Sequence, residues 1–282
     1  MTPCYGNAMA ALTDPEAIVV SAASMASRAE TDVVQSNISF VNALFGELLV
    51  PDEIATDALR SYYVDYLFAQ TMNGGFSQFV YNSRWNPRVI DRVRAGLVAM
   101  AALGEAAAFE QAARFVDRAG ERWRDQFFAT DYFGDNPYRD TFDEAVDAGR
   151  FERLQATNAR WLRAHPRLVV ATLDEMAAEV ARRGAALPDR AARVAAARAA
   201  EPRDLRLIRA LCERAGHAFG RRTAASRMSY GDDEVWGYFF ITDRGPHYMI
   251  DLGARALMFP TVSGRVVDRA AMIVEIEVSE AS

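Results

Sequence analysis

The 282-residue chain contains no lysine, two cysteines and three histidines. Cys4 and Cys212 lie far apart in sequence, which argues against a disulfide framework or a thiolate metal cluster. His165, His217 and His247 fit no helical metal spacing, and each is expected in a structural role: capping, a helix C-terminus, a strand start. No apolar run approaches the length of a membrane span; the longest, Ala95 to Leu103, is too short. The first residues carry no basic leader, and Asp14, Pro15 and Glu16 interrupt their apolar stretch, so no secretory signal is expected and a cytoplasmic location is. GxGxxG, the Walker loop, HExxH, CxxC and GxSxG are all missing. No catalytic, cofactor or metal residue is therefore assigned, and the expectation is a protein without enzymatic activity.

What is present is a well-supplied core and an uneven charge. Hydrophobic residues make up 51% and charged residues 25% of the sequence, which excludes wholesale disorder. The net charge of -6 is unevenly distributed: residues 1–150 carry -9, residues 151–250 carry +5. Every base is arginine, a choice that matters physically only where two hydrogen bonds are made at once.

Periodicity predicts a mainly α protein: an N-terminal antiparallel helical domain followed by a small α+β domain with an antiparallel sheet. A helix is expected from about Ala29 to Leu49, and a second from Pro51 that stops at Asn73-Gly74-Gly75. Pro87 opens a third, ended by Gly104, and a fourth runs on through Trp123. Thr141 with Glu144 and Thr172 with Glu175 have capping-box spacing. Farther on, VWGYFFIT, the turn DRGP and HYMIDL read as a hairpin, and MIVEIEV alternates like a half-buried strand. The expected organisation is an N-terminal extension (1–28), a helical domain (29–184), a linker or terminal helix (185–202) and an α+β domain (203–282).

Four patterns carry functional expectations. Residues 125–147 hold seven acids and one base, making Asp131, Asp135, Asp140, Asp143, Glu144 and Asp147 a candidate acidic interaction surface. Asp131, Asp135 and Asp140 miss the calcium-loop pattern because Phe133 takes a ligand position. Asp232, Asp233 and Glu234 form an acid cluster that is weak evidence for acid/base or metal work. An arginine-rich stretch (Arg203, Arg206, Arg209, Arg214, Arg221, Arg222, Arg227) could contact phosphates, but Glu201, Asp204 and Glu213 supply local partners, so direct nucleic-acid binding is the third reading. The second is a small-ligand binder or enzyme whose interdomain pocket or anion site uses Arg221, Arg222, Tyr230, Trp236 and His247.

The most distinctive pattern is NGGFSQFVYN at 73–82. Here a tyrosine-rich helix, SYYVDYLFAQTM, meets two glycines, an aromatic turn and regularly placed amides. The simplest reading is a helix–helix corner locked by side-chain hydrogen bonds. This run, with RAGLVAMAALGEAAAFEQAARFV downstream, resembles the DNA-mimic protein domain family, catalogued as a domain of unknown function. The resemblance covers roughly residues 29–183 and rests on Asn73, Gly74, Gly75, Phe76, Gln78, Phe79 and Asn82, a fold signature. It implies an all-helical domain without catalytic machinery or cofactor. It also implies a homodimer whose surface carboxylates imitate DNA phosphates and sequester a DNA-binding regulator. The expected partner is thus a protein, in particular a basic DNA-binding one, with no membrane involved. Arg114, Arg118, Arg122 and Arg124 interleave with the acids of the preceding helix and would blunt such a field.

Overall fold

The computed structural model describes residues 12–231, 233–262, 265–266 and 272–278. Cys4 and Asp232 lie outside the described residues. The chain divides into two compact units, the first ending at Arg190 and the second beginning at Ala191.

The first unit is mainly helical, as its periodicity predicts, but it opens on a strand. Ile18-Val19-Val20-Ser21 forms β1 (Ile18–Ser21), pairing in parallel with β2 (Leu168–Ala171). Ile18, Val19 and Val20 are fully buried, so the stretch expected as an extension supplies core, and the all-helical expectation misses this sheet. Between the strands run α1 (Ala22–Ala26), α2 (Asp32–Gly46), α3 (Thr56–Ser83), α4 (Pro87–Ala99), α5 (Leu103–Ala119), α6 (Glu121–Ala129), α7 (Pro137–Ala145) and α8 (Leu154–Arg163). After β2 comes α9 (Leu173–Ala185), and α10 (Arg190–Ala199) opens the second unit.

Several expected boundaries move. Gly104 lies in the first turn of α5 rather than ending α4, and Gly120, at φ 84°, divides α5 from α6. The predicted Thr141–Glu144 capping box does not form. Thr141 Oγ1 instead donates to the Pro137 carbonyl at 2.7 Å, and Asn136 caps α7 from Pro137 onward. The Thr172–Glu175 box forms in full at the start of α9.

Two apolar clusters share α3. One gathers β1, α2, the first turns of α3 and Leu162 of α8; the other gathers Val64, Leu67, Phe76 and Phe79 of α3 with α4, α5, α6 and α7. At their boundary lies a buried polar seam. Asn37 Nδ2 donates to the Ala58 carbonyl at 3.0 Å and Asn158 Nδ2 to the Ser61 carbonyl at 2.9 Å, with Asp65 one turn farther along α3. Asn37 Oδ1, Ser61 Oγ, Asp65 Oδ1 and Asn158 Oδ1 are shielded from solvent without a protein partner.

In the second unit, α11 (Arg203–Ala215) packs on an antiparallel sheet ordered β3-β4-β5-β6-β7, with β8 also paired to β6. The strands are β3 (Phe219–Tyr230), β4 (Asp233–Thr242), β5 (Gly245–Asp251), β6 (Arg255–Val262), β7 (Arg265–Val266) and β8 (Val274–Glu277). The α+β expectation holds, including the β4–β5 hairpin and the alternation of β8, whose Val274 and Ile276 face Leu207, Ile208 and Leu211 of α11. β3, β6 and β7 are strands that sequence reasoning missed, β3 because its arginines read as the exit of a helix. Although two strands separate β3 from β6, the Tyr230 and Phe259 rings lie 6.3 Å apart. A flat sheet would hold them about 14 Å apart at strand spacing. The β3–β4 hairpin therefore curls over the face formed by Tyr248, Ile250, Leu257 and Phe259. Gly237 lets it do so, since Met228 occupies the space a Cβ would fill.

Candidate interaction surface

The NGGF corner does not stop α3; it breaks it. Gly74 (φ -151°, ψ 33°) and Gly75 (φ 78°, ψ 175°) leave helical geometry, and the helix resumes at once. Gly75 needs its positive φ and its missing side chain together, because a Cβ there would run into the Asp143 carboxylate.

A restarted helix exposes amide donors that require a cap, and glycine has no side chain to supply one. Asp143, from α7, supplies it: Oδ1 accepts from the Ser77 backbone amide at 3.0 Å and Oδ2 from Ser77 Oγ at 2.7 Å. Tyr132 completes the group, lying 2.9 Å from Ser77 Oγ and donating to the Gly74 carbonyl at 2.7 Å. Burial raises the Asp143 carboxyl above its ordinary range, opposed by the two Ser77 hydrogen bonds.

A ladder of side-chain amides closes the corner. Asn73 Nδ2 donates to Gln78 Oε1 at 3.0 Å, Gln78 Nε2 to Gln70 Oε1 at 2.9 Å, and Asn82 Nδ2 to the same oxygen at 2.5 Å. Phe76 and Phe79 are fully buried, Phe76 stacking with Phe151 at 6.4 Å. Every signature residue thus has a structural partner. Ser77, Tyr132 and Gln70 are the members that sequence reasoning did not single out. A helix restarting after two glycines signals a missing cap, but not which distant carboxylate provides it.

Through Tyr132 the corner holds the loop that carries the acids. Arg139 Nη1 donates to the Tyr132 and Gly134 carbonyls at 3.0 and 3.2 Å, and Asn136 Nδ2 to the Asp131 carbonyl at 3.3 Å. On this braced loop Phe133 stands 89% exposed, its amide donating to Asp131 Oδ1 at 3.1 Å. Asp131, Asp135, Asp140, Asp143, Glu144 and Asp147 are exposed as well. Asp140 is paired with Arg139 at 2.8 Å, and Asp147 caps the Gly149 amide at 2.9 Å. Asp143 differs from the other five in that both its oxygens serve Ser77.

The five pocket or anion-site residues in the second unit divide between two faces of its sheet. His247 is buried on the α11 side, stacked on Phe240 at 5.8 Å and 5.1 Å from His217. Burial lowers its pKa, and Nδ1 lies 2.9 Å from the Gly245 carbonyl. Trp236 carries the Arg227 guanidinium at 5.0 Å, and Arg222 is paired with Asp204. Tyr230 belongs to the opposite face, with Phe259, while Arg221 lies opposite Ile241 in the register. The arginine-rich stretch is also largely engaged internally. Arg203 pairs with Asp251 at 2.9 Å and Arg209 with Glu201 at 2.8 Å, and Arg209 covers the Phe219 ring at 4.7 Å. Asp233 and Glu234 open β4 as exposed residues. Among the described residues no group of three or more His, Cys, Asp or Glu is placed to hold a metal ion, and no helix is long and apolar enough to cross a membrane.

A glycine-broken helix propped by a carboxylate from another helix makes the first unit a helical module whose polar network serves its architecture. Residues 52–165 match the family model described as DMP19-like protein. That match lies within the 29–183 stretch and stops short of the second unit. No curated protein and no solved structure matches the chain.

Proposed function

We propose that the chain is a non-enzymatic protein-interaction module whose first unit presents an acidic, DNA-like face to a basic DNA-binding regulator. The observation that carries this reading is the loop Asp131–Asn136, braced by the signature corner, which displays Phe133 among exposed carboxylates. Rigid display lowers the entropy lost on binding, an aromatic ring is an effective anchor, and the acids steer a basic partner. Asp131, Asp135, Asp140, Glu144 and Asp147 are the recognition carboxylates; Asp143 is the strut behind them.

The test is release of a helix-turn-helix repressor from its operator duplex, followed by gel shift at two salt concentrations. Release should weaken with salt and disappear in the variant D131N/D135N/D140N/E144Q/D147N. Equal release by that variant refutes the acidic face, and no release by the unaltered protein across a panel of such repressors refutes DNA mimicry.

A further inference from the structure

Within the second unit a groove runs between α11 and β8. Two cavities of about 730 and 360 Å³ form it, with Ala210, Ile276 and Glu277 in the lining of both. Arg214 and Glu275 lie toward one end, Arg206 and Val278 toward the other, so α11 and β8 run along it in opposite directions. β8 is paired on one side only, with β6, and the phase of that ladder decides what its other side offers. The Val278 amide donates to the Ala254 carbonyl at 2.8 Å. Backbone groups alternate in direction along a strand, so Val274, Ile276 and Val278 bond inward to β6, while Glu275 and Glu277 turn their N–H and C=O groups outward. No described residue bonds those outward groups. The Glu275 and Glu277 side chains alternate with Val274 and Ile276 and so leave the sheet on the face away from α11; these two residues meet the groove through their backbone.

An open strand edge is a template for a further strand, and the opposite wall selects which one. Arg203 is held by Asp251, and Glu275 by Arg255 at 3.0 Å. Arg206 and Arg214 have no ion-pair or hydrogen-bond partner of their guanidinium groups among the described residues. Their separation along α11 is about 12 Å at 1.5 Å per residue, close to the roughly 13–14 Å spanned by residues four apart on a strand. We infer that this edge accepts an acidic extended segment of a partner protein, added antiparallel to β8. Two of its carboxylates, four residues apart, face Arg206 and Arg214, with an apolar side chain between them over Ala210. Charge sets the occupant: a basic segment would meet both arginines, and any symmetric pairing of β8 with a second copy sets glutamate opposite glutamate. This inference is independent of the acidic face of the first unit.

The experiment titrates the full chain with the end-blocked heptapeptide Thr-Glu-Thr-Val-Thr-Glu-Thr, following the Glu275 and Glu277 amide resonances by proton–nitrogen NMR. Both should shift saturably. N-methylation of the third and fifth peptide residues removes the amides that bond β8 and should abolish binding, whereas N-methylation of the fourth, whose amide points away, should leave it unchanged. The same peptide with lysine for glutamate should not bind. The double variant R206Q/R214Q breaks no ion pair of the folded chain and should weaken the acidic peptide by about tenfold, as the loss of two exposed charge pairs requires; Arg221→Gln, on β3, should leave it unchanged. An unsaturable shift, equal effects of methylation at the two kinds of position, binding of the lysine peptide, or full affinity in R206Q/R214Q overturns the assignment. So do Glu275 and Glu277 shifts that follow protein concentration without peptide, which would give the edge to a second copy.

Discussion

Asp65 sits in the polar seam between the two apolar clusters, 7% exposed and with Oδ1 unpartnered. Burial raises its carboxyl from the ordinary 3.8 to about 6. The folded protein therefore holds this proton more tightly than the unfolded chain does. The resulting stabilisation is complete below the unfolded pKa and is lost as pH rises through about 6. Over the whole range the loss is about 3 kcal/mol, and between pH 4.5 and 7 about 2 kcal/mol, at roughly 1.4 kcal/mol per pKa unit. Asp65→Asn keeps the shape and cannot ionise, so its stability relative to the parent should climb by about 2 kcal/mol over that interval. In urea unfolding this moves the midpoint difference by about 1 M, for a slope near 2 kcal/mol/M. Trp85, Trp123 and Trp161 report on the first unit once Trp236 is replaced by Phe in both proteins. A midpoint difference that stays constant from pH 4.5 to 7 would refute a protonated Asp65 in the folded state.

Gly75→Ala places a Cβ on the Asp143 carboxylate at a positive φ, and a loss of about 3 kcal/mol or more is expected in denaturant unfolding; near-neutral behaviour would contradict the described corner. Ser77→Ala and Asp143→Ala should be strongly non-additive, with a coupling of about 1.5–3 kcal/mol in a double-mutant cycle, whereas additive losses would mean that the two groups do not hold each other. Burial raises the Cys212 thiol to about 11, so in a Cys4→Ser background alkylation at pH 8 should await unfolding; prompt labelling of the native protein would contradict its burial.

The sequence reports its helices through local apolar spacing, and the β4–β5 hairpin and β8 through alternation, because those signals are short-range. It identifies the NGGF corner as structural for the same reason: two glycines and a row of amides tell their own story. Asp143 illustrates what stays hidden. As one of seven acids in residues 125–147 it looks like surface, and only the chain reversal that brings α7 back to α3 makes it a cap. β1 is another such case, four residues whose partner strand comes after all the intervening helices. β3 escapes because it is exposed at nearly every position and carries no apolar rhythm; its curl is legible only through the Tyr230–Phe259 contact.

The parallel pairing of β1 with β2 sets an order on synthesis. Ile18 leaves the ribosome about 150 residues before Leu168, its partner. Until then Ile18, Val19 and Val20, buried in the finished unit, have no ladder to join. Closing so long a loop is entropically slow compared with forming the helices between. A nascent chain halted near residue 165, the limit of the family match, would carry most of the helices and an unpaired apolar strand. The interval before β2 emerges is thus when the chain is most exposed to aggregation or to a chaperone.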